Sequence, residues 1–290
     1  MRKLWWVVSF TVALLASGYA YLAWNTNRPV AALEQEQLQA TLENSIQWLE
    51  KNRDKILAES NPMLWRMIQL AAEISGDNRL QQLFVSYEQR YLEKSRNNPW
   101  RPLFYPGTWV AVRFEDISGF PYYNWHFIYA ILCDKELEQV PEIAIQNDPG
   151  FCDRHPLRPA CVTHQLMGIR LLQLSECSDP AQLDDTVQRL QQRIRKQLLL
   201  DPRVVDVYMQ RVLMLEESGA GDLVKPVWIR NLVDAQRADG GWSPFEPLLP
   251  LGGGRYFGYW GKKIFAIKQP RSSFHMTAQG VLLFSLLTSP

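Results

Sequence analysis

The sequence predicts an all-α protein of helical hairpins behind an N-terminal transmembrane helix, with long aromatic loops over one mouth of the helical body. Three observations carry that expectation. Apolar residues recur at helical spacing through most of the chain, no stretch holds a sustained period-two alternation, and the first two dozen residues form one nearly uncharged apolar run.

That run is LWWVVSFTVALLASGYAYLAW, Leu4 to Trp24, preceded by Arg2 and Lys3. At 1.5 Å per residue it is about 31 Å long, the thickness of a bilayer's hydrocarbon core. Trp5, Trp6 and Trp24 stand at its ends, where aromatic belts sit. A cleaved signal peptide, cut after GYA and before Tyr21, is the competing reading, although a signal's apolar region is shorter at ~7–15 residues. In both readings Arg2 and Lys3 stay cytoplasmic and the remainder is exported. Residues 1–28 thus read as anchor (or signal peptide) and tether, and residues 29–290 as an exported helical domain. The expected setting is a single-pass inner-membrane protein with its soluble domain in the periplasm, contacting the membrane through residues 4–24.

Within the domain, Leu38, Leu42, Ile46 and Leu49 share one helical face. Asn61 caps a helix opened by Pro62, SGDNRL breaks it, and Leu80, Leu83, Phe84, Tyr87 and Tyr91 mark the next. YNWHFIYAILCD, CVTHQLMGIRLLQL, DPAQLDDTVQRLQQRIRKQLL, DPRVVDVYMQRVLMLEES, GDLVKPVWIRNLVDAQ and SSFHMTAQGVLLFSLL follow, about nine helices in all. The Asp-Pro pairs at 179–180 and 201–202 punctuate joins between them. Residues 96–121, 136–158 and 238–272 interrupt the pattern. Loops of that length carry function or are disordered, and their aromatic content argues against disorder. WVAVRF (109–114) and RYFGYW (255–260) are candidates for short strands there.

The stretch DAQRADGGW (234–242) ends the helix expected from Asp222. Gly240 or Gly241 supplies a left-handed residue, Trp242 folds back on the hairpin, and the Gln236 amide satisfies backbone groups at a neighbouring helix end. LVDAQRADGGW resembles the QW-type repeat of terpenoid cyclases and protein prenyltransferases, and SSFHMTAQGVLLFSLL is similar to the inner helix that follows it there. The resemblance spans residues 220–290 in one copy. It implies helical hairpins in an α/α-toroid-like array with a cavity at the centre of the inner ring. The catalytic motifs of those families do not carry over: Asp184-Asp185 in QLDDTVQRL completes neither acidic signature, and no Cys lies beyond Cys177 to join His275 on zinc.

The cysteines are 133, 152, 161 and 177 and the histidines 126, 155, 164 and 275. CDRHPLRPACVTH holds Cys-x-x-His twice, ligand types that suit zinc, but an exported chain oxidises its cysteines, which favours a Cys152–Cys161 disulfide and no metal. Cys161 and Cys177 bracket one helix, about 24 Å apart, too far to bridge. In an antiparallel hairpin Cys133 lies near Cys161, leaving Cys177 free, or paired with Cys133 only if those helices are not antiparallel neighbours.

A lone His on an apolar face is usually a satisfied core residue. Still, EDISGFPYYNWH sets Glu115, Asp116, Tyr122, Tyr123, Asn124 and His126 at one loop-to-helix entry, where a concave site could gather them with His164 and His275. The acid–base candidates are His126, His164 and His275, with Asp116 or Glu115 orienting. Tyr122, Tyr123, Trp125, Tyr256 and Trp260 are the candidate binding aromatics. A net charge of +1 gives no reason to expect nucleic acid. No cofactor is implied. The leading expectation is an envelope protein that holds an apolar or glycan ligand, or an envelope protein partner, in an aromatic-lined cavity. The alternative is an α/α-toroid enzyme, a polysaccharide lyase or hydrolase or a polyprenyl transferase, using His acid–base chemistry.

Overall fold

The computed structural model describes residues 2–94, 97–177, 179–261 and 263–289. Its longer helices are α1 (Arg2–Asn25), α2 (Gln35–Lys51), α3 (Pro62–Ser75), α4 (Asn78–Tyr87), α5 (Tyr122–Leu132), α6 (Cys161–Leu174), α7 (Pro180–Leu200), α8 (Asp206–Glu217), α9 (Pro226–Asp234) and α10 (Phe274–Thr288). The α3 start follows the sequence: the Asn61 side chain accepts a hydrogen bond from the Met63 amide, and Gly76 closes the helix in the left-handed region.

The fold is not all-α. Three strands, β1 (Phe245–Gly252), β2 (Arg255–Trp260) and β3 (Lys263–Lys268), pair antiparallel in the order β1-β2-β3. RYFGYW is therefore a strand, while residues 109–113 of WVAVRF take no regular structure. β1 escapes a pattern reading because it carries Pro247 and Pro250. It is an edge strand with register irregularities at both prolines, places where a sheet tolerates proline.

The membrane expectation is also corrected. The uncharged run does form one helix, α1, but among the described residues no helix is long and apolar enough to cross a membrane. Ser9, Thr11, Ser17, Gly18, Tyr19 and Tyr21 interrupt its apolar residues. The single-pass inner-membrane assignment, with Trp5, Trp6 and Trp24 as its belts, goes with it. The C-terminal part of α1 and the turn after it are tied to the domain: the Tyr19 hydroxyl donates to the Leu200 carbonyl, and Asn27 Nδ2 donates to the Leu199 carbonyl at 3.0 Å.

One buried cluster runs from Leu38 to Phe284. α10 is its hub, packing against α2, α3 and α8, while α6 packs against α5, α7 and α8. Trp242 locks the hub. It is fully buried, its ring stacks on Phe284 at 5.6 Å, and its indole N–H donates to the Leu232 carbonyl at 2.7 Å. Gly280 of α10 makes room, since a Cβ there would stand 2.5 Å from the indole. α9 ends at Asp234, ahead of the glycines, and Gly240 instead turns the chain with φ 91°. A Cβ at 240 would lie 2.2 Å from the Asn44 carbonyl oxygen of α2. Gln236 Nε2 donates to the carbonyls of Thr41 and Gly240, both at 2.9 Å, stitching the turn to α2.

Trp242→Ala is expected to cost about 3–5 kcal/mol, the range for truncating a buried aromatic. Chemical denaturation checks it; a loss within the range of ordinary surface substitutions, about 0.5 kcal/mol, would remove Trp242 from this role.

Candidate functional site

Helices α3, α6, α8 and α10, with the C-terminal end of α5, surround a cavity of about 550 Å³. Its walls are aliphatic: Met63, Met67 and Leu70 from α3, Met167 and Leu171 from α6, Leu213 and Met214 from α8, and Leu282 from α10. The segment 102–109 supplies the remaining wall, and of its aromatic residues Trp109 lines the cavity. Three charged groups of the helices also line it. Arg170 Nη1 donates to Gln173 at 2.6 Å, its Nε lies 4.0 Å from a Glu217 carboxylate oxygen, and Arg66 Nη1 donates to Gln69 at 2.7 Å. Burial pushes the Glu217 carboxyl up, against the pull of Arg170 and Arg66, and pushes the Arg66 guanidinium down. The volume lies within the range of small-molecule pockets, ~300–1,000 Å³.

Cys133 lines the mouth of this cavity and is bonded to Cys177. Of the two states left open for Cys177, free or paired with Cys133, the structure has the second: Cys133 caps the C-terminus of α5 and Cys177 follows that of α6, so the two helices end together. The residues that turn the chain at this bridge, Cys133 and Glu176, both hold left-handed backbone, with φ of 53° and 54°. Cys152 and Cys161 form the second disulfide.

His126 and His164 are each packed against partners of their own. His126 is buried, its Nε2 sits 2.8 Å from Asn147 Oδ1, and its ring fills the space a Cβ would need at Gly168, 2.1 Å from Nδ1. Burial lowers its pKa to about 4. His164 stacks on Tyr123 with ring centroids 4.0 Å apart and meets the Phe127 edge. Burial, then the charge of nearby His275, lowers it to about 4. His164 and His275 thus share a neighbourhood with Tyr123, with His275 exposed in the first turn of α10. The expected orienting carboxylates are elsewhere: Asp116 pairs with Arg113 at 3.3 Å on the surface, and Glu115 is exposed beside it. Tyr122 lies under the Arg158 guanidinium, Trp125 meets Phe114 edge to face, and Tyr256 and Trp260 belong to β2. None of these predicted residues lines the central cavity.

A larger cleft, about 1070 Å³, opens between α1, the β-ribbon and the segment 152–159. Its polar core escaped the sequence reading. Asp201 accepts two hydrogen bonds from Arg203, at 2.6 and 2.7 Å, and one from Arg211 Nη1 at 3.0 Å. Arg211, only 3% exposed, also donates to Gln197 and the Pro159 carbonyl. Burial opposes ionisation of Asp201, and the two guanidiniums outweigh it, holding the carboxyl below its ordinary range. Behind this cluster Glu246 accepts the Val204 amide at 2.7 Å, and burial pushes it up to about 7. The available signal was DPRVVDVYMQR, where Asp201 reads as a helix join. Long loops therefore serve two separate mouths, 102–109 at the cavity and 152–159 with the ribbon at the cleft. No family model, curated protein or solved structure matches the chain.

These shifts have opposite pH signatures. His126 and His164 have folded values below the unfolded value of about 6.5, so their contribution is complete above that pH and is lost as pH falls through 4. Glu246 has a folded value above its ordinary 4.5, so its contribution is complete below 4.5 and is lost as pH rises through 7. NMR titration is expected to find both imidazoles neutral down to about pH 5.5, and Glu246→Gln to raise Tm at about pH 8 but not at about pH 4. An imidazole titrating near its ordinary value, or a Gln variant equally stabilised at both pH values, would contradict the assigned burial.

Proposed function

We propose that this chain is a binding protein whose helical domain holds an apolar small molecule in the central cavity. One observation carries the reading: the walls where five helices converge are methionine and leucine, and they enclose about 550 Å³ that side chains do not fill. Methionine suits such a site because its flexible thioether adapts to ligands of varied shape. Arg66, Arg170 and Glu217 are the charged groups that the helices add to an otherwise mostly aliphatic wall, so the ligand is apolar along most of its length. The two disulfides favour an oxidising, extracytoplasmic setting. The enzymatic alternative gains no support: His126 is engaged with Asn147, His164 with Tyr123, and neither Asp116 nor Glu115 reaches them.

The test is titration with the neutral fluorophore N-phenylnaphthylamine. The expected result is saturable binding of one molecule per chain, weakened about tenfold or more by the cavity-filling variants Leu70→Trp and Leu171→Trp, a change of about 1.4 kcal/mol. Binding that is unsaturable, or unchanged in both folded variants, would refute the proposal.

A further inference from the structure

The cleft under α1 has a different chemistry from the central cavity and shares no lining residue with it. The two occupy different parts of α6: Val162 in the first turn faces the cleft, while Met167, Arg170 and Leu174 face the cavity. We infer that the cleft is a second binding site, for a single-chain amphiphile with a phosphate head.

Charge supports the head group. The cleft is lined by Arg158, Arg193, Lys196, Arg203 and Arg211 against Asp153 and Asp201, an excess of three positive charges in a chain whose net charge is +1. Asp201 occupies Arg203 and Arg211, and Asp153 occupies Arg193 at 2.6 Å. Arg158 and Lys196 are left without a carboxylate partner among the described residues; Arg158 lies over the Tyr122 ring, 4.9 Å from its centroid. A phosphate between them completes the pairing that the protein's own acids leave unfinished, through charge-assisted hydrogen bonds.

The walls support the chain. α1 contributes Leu14, Tyr19 and Leu22, and the ribbon contributes Tyr259, Ile264 and Phe265. Ile264 and Phe265 are 65% and 51% exposed, and Leu22 is 37% exposed, so apolar area on both sides of the cleft faces water. At roughly 25 cal/mol per Å² of apolar surface, an alkyl chain lying between these walls removes an unfavourable exposure that neither wall relieves alone. The volume of about 1070 Å³ far exceeds a bare phosphate and accommodates a head with one long chain. An extended polyanion fits less well, because the apolar α1 and ribbon walls give its backbone nothing to pair with.

Isothermal titration of the full chain with dodecyl phosphate, kept below its micelle concentration, tests the inference. The expected outcome is binding of one molecule per chain, at least about tenfold tighter than inorganic phosphate or dodecyl maltoside and weaker at high salt. Lys196→Gln is expected to weaken it severalfold, and Arg158→Gln with Lys196→Gln by about tenfold or more, with Tm checked because Arg158 also packs on Tyr122. Phe265→Ser is expected to weaken dodecyl phosphate and leave inorganic phosphate unchanged. Retention of binding in Leu70→Trp separates this site from the central cavity. Equal affinity for inorganic phosphate, an unaffected double variant that is folded, or loss of binding in Leu70→Trp would each overturn the assignment.

Discussion

The helical array depends on how Trp242 seats α10. The indole fills the notch left by Gly280, stacks on Phe284 and bonds the last turns of α9, while the turn that carries it hooks onto α2 through Gly240 and Gln236. α10 in turn packs on α2, α3 and α8, and three of these four helices, α3, α8 and α10, line the cavity. A single aromatic side chain therefore fixes the spacing of the walls between which an apolar ligand is proposed to sit. That spacing is set from outside: Trp242 lies behind α10 and lines neither cavity nor cleft.

Two kinds of polar burial coexist around this frame. His126 and His164 are kept neutral by desolvation and rigidify helix contacts, His126 by pressing against Gly168 of α6. The Asp201, Arg203 and Arg211 cluster remains charged because each ion has a partner at hydrogen-bond distance. Removing one member of such a set leaves another charge buried and unpaired, which is more damaging than losing a surface ion pair. The cleft therefore has a rigid cationic base at Arg211 and more adaptable charges at Arg158 and Lys196.

Local geometry was legible in the sequence where it depends on short-range chemistry. Asn61 caps, Gly240 turns with positive φ, Gln236 bonds a neighbouring helix and Cys152 pairs with Cys161, each as the residue types demand. What failed required knowledge of the tertiary path. Cys133 pairs with Cys177 because the 28 residues between α5 and α6, from Cys133 to Ala160, carry the chain back so that both helices end on one side, and nothing in helical periodicity reveals that return. The ribbon was hidden by Pro247, Pro250 and three consecutive glycines, residues a sheet admits at an edge and in a hairpin turn. Of the candidate site residues, His164 lies within electrostatic reach of His275, yet the cavity walls were unreadable. Met67, Leu171, Leu213 and Leu282 look like any core residues until the helices are assembled around a space they do not fill.

The central claim is that this space receives an apolar ligand. A crystal of the full chain soaked with 1-bromododecane tests it directly, because bromine scatters anomalously and locates the ligand without bias. The account predicts an anomalous peak inside the ring formed by Met67, Leu171, Leu213 and Leu282. A collapsed cavity, or bromine found only on the outer surface, would contradict it.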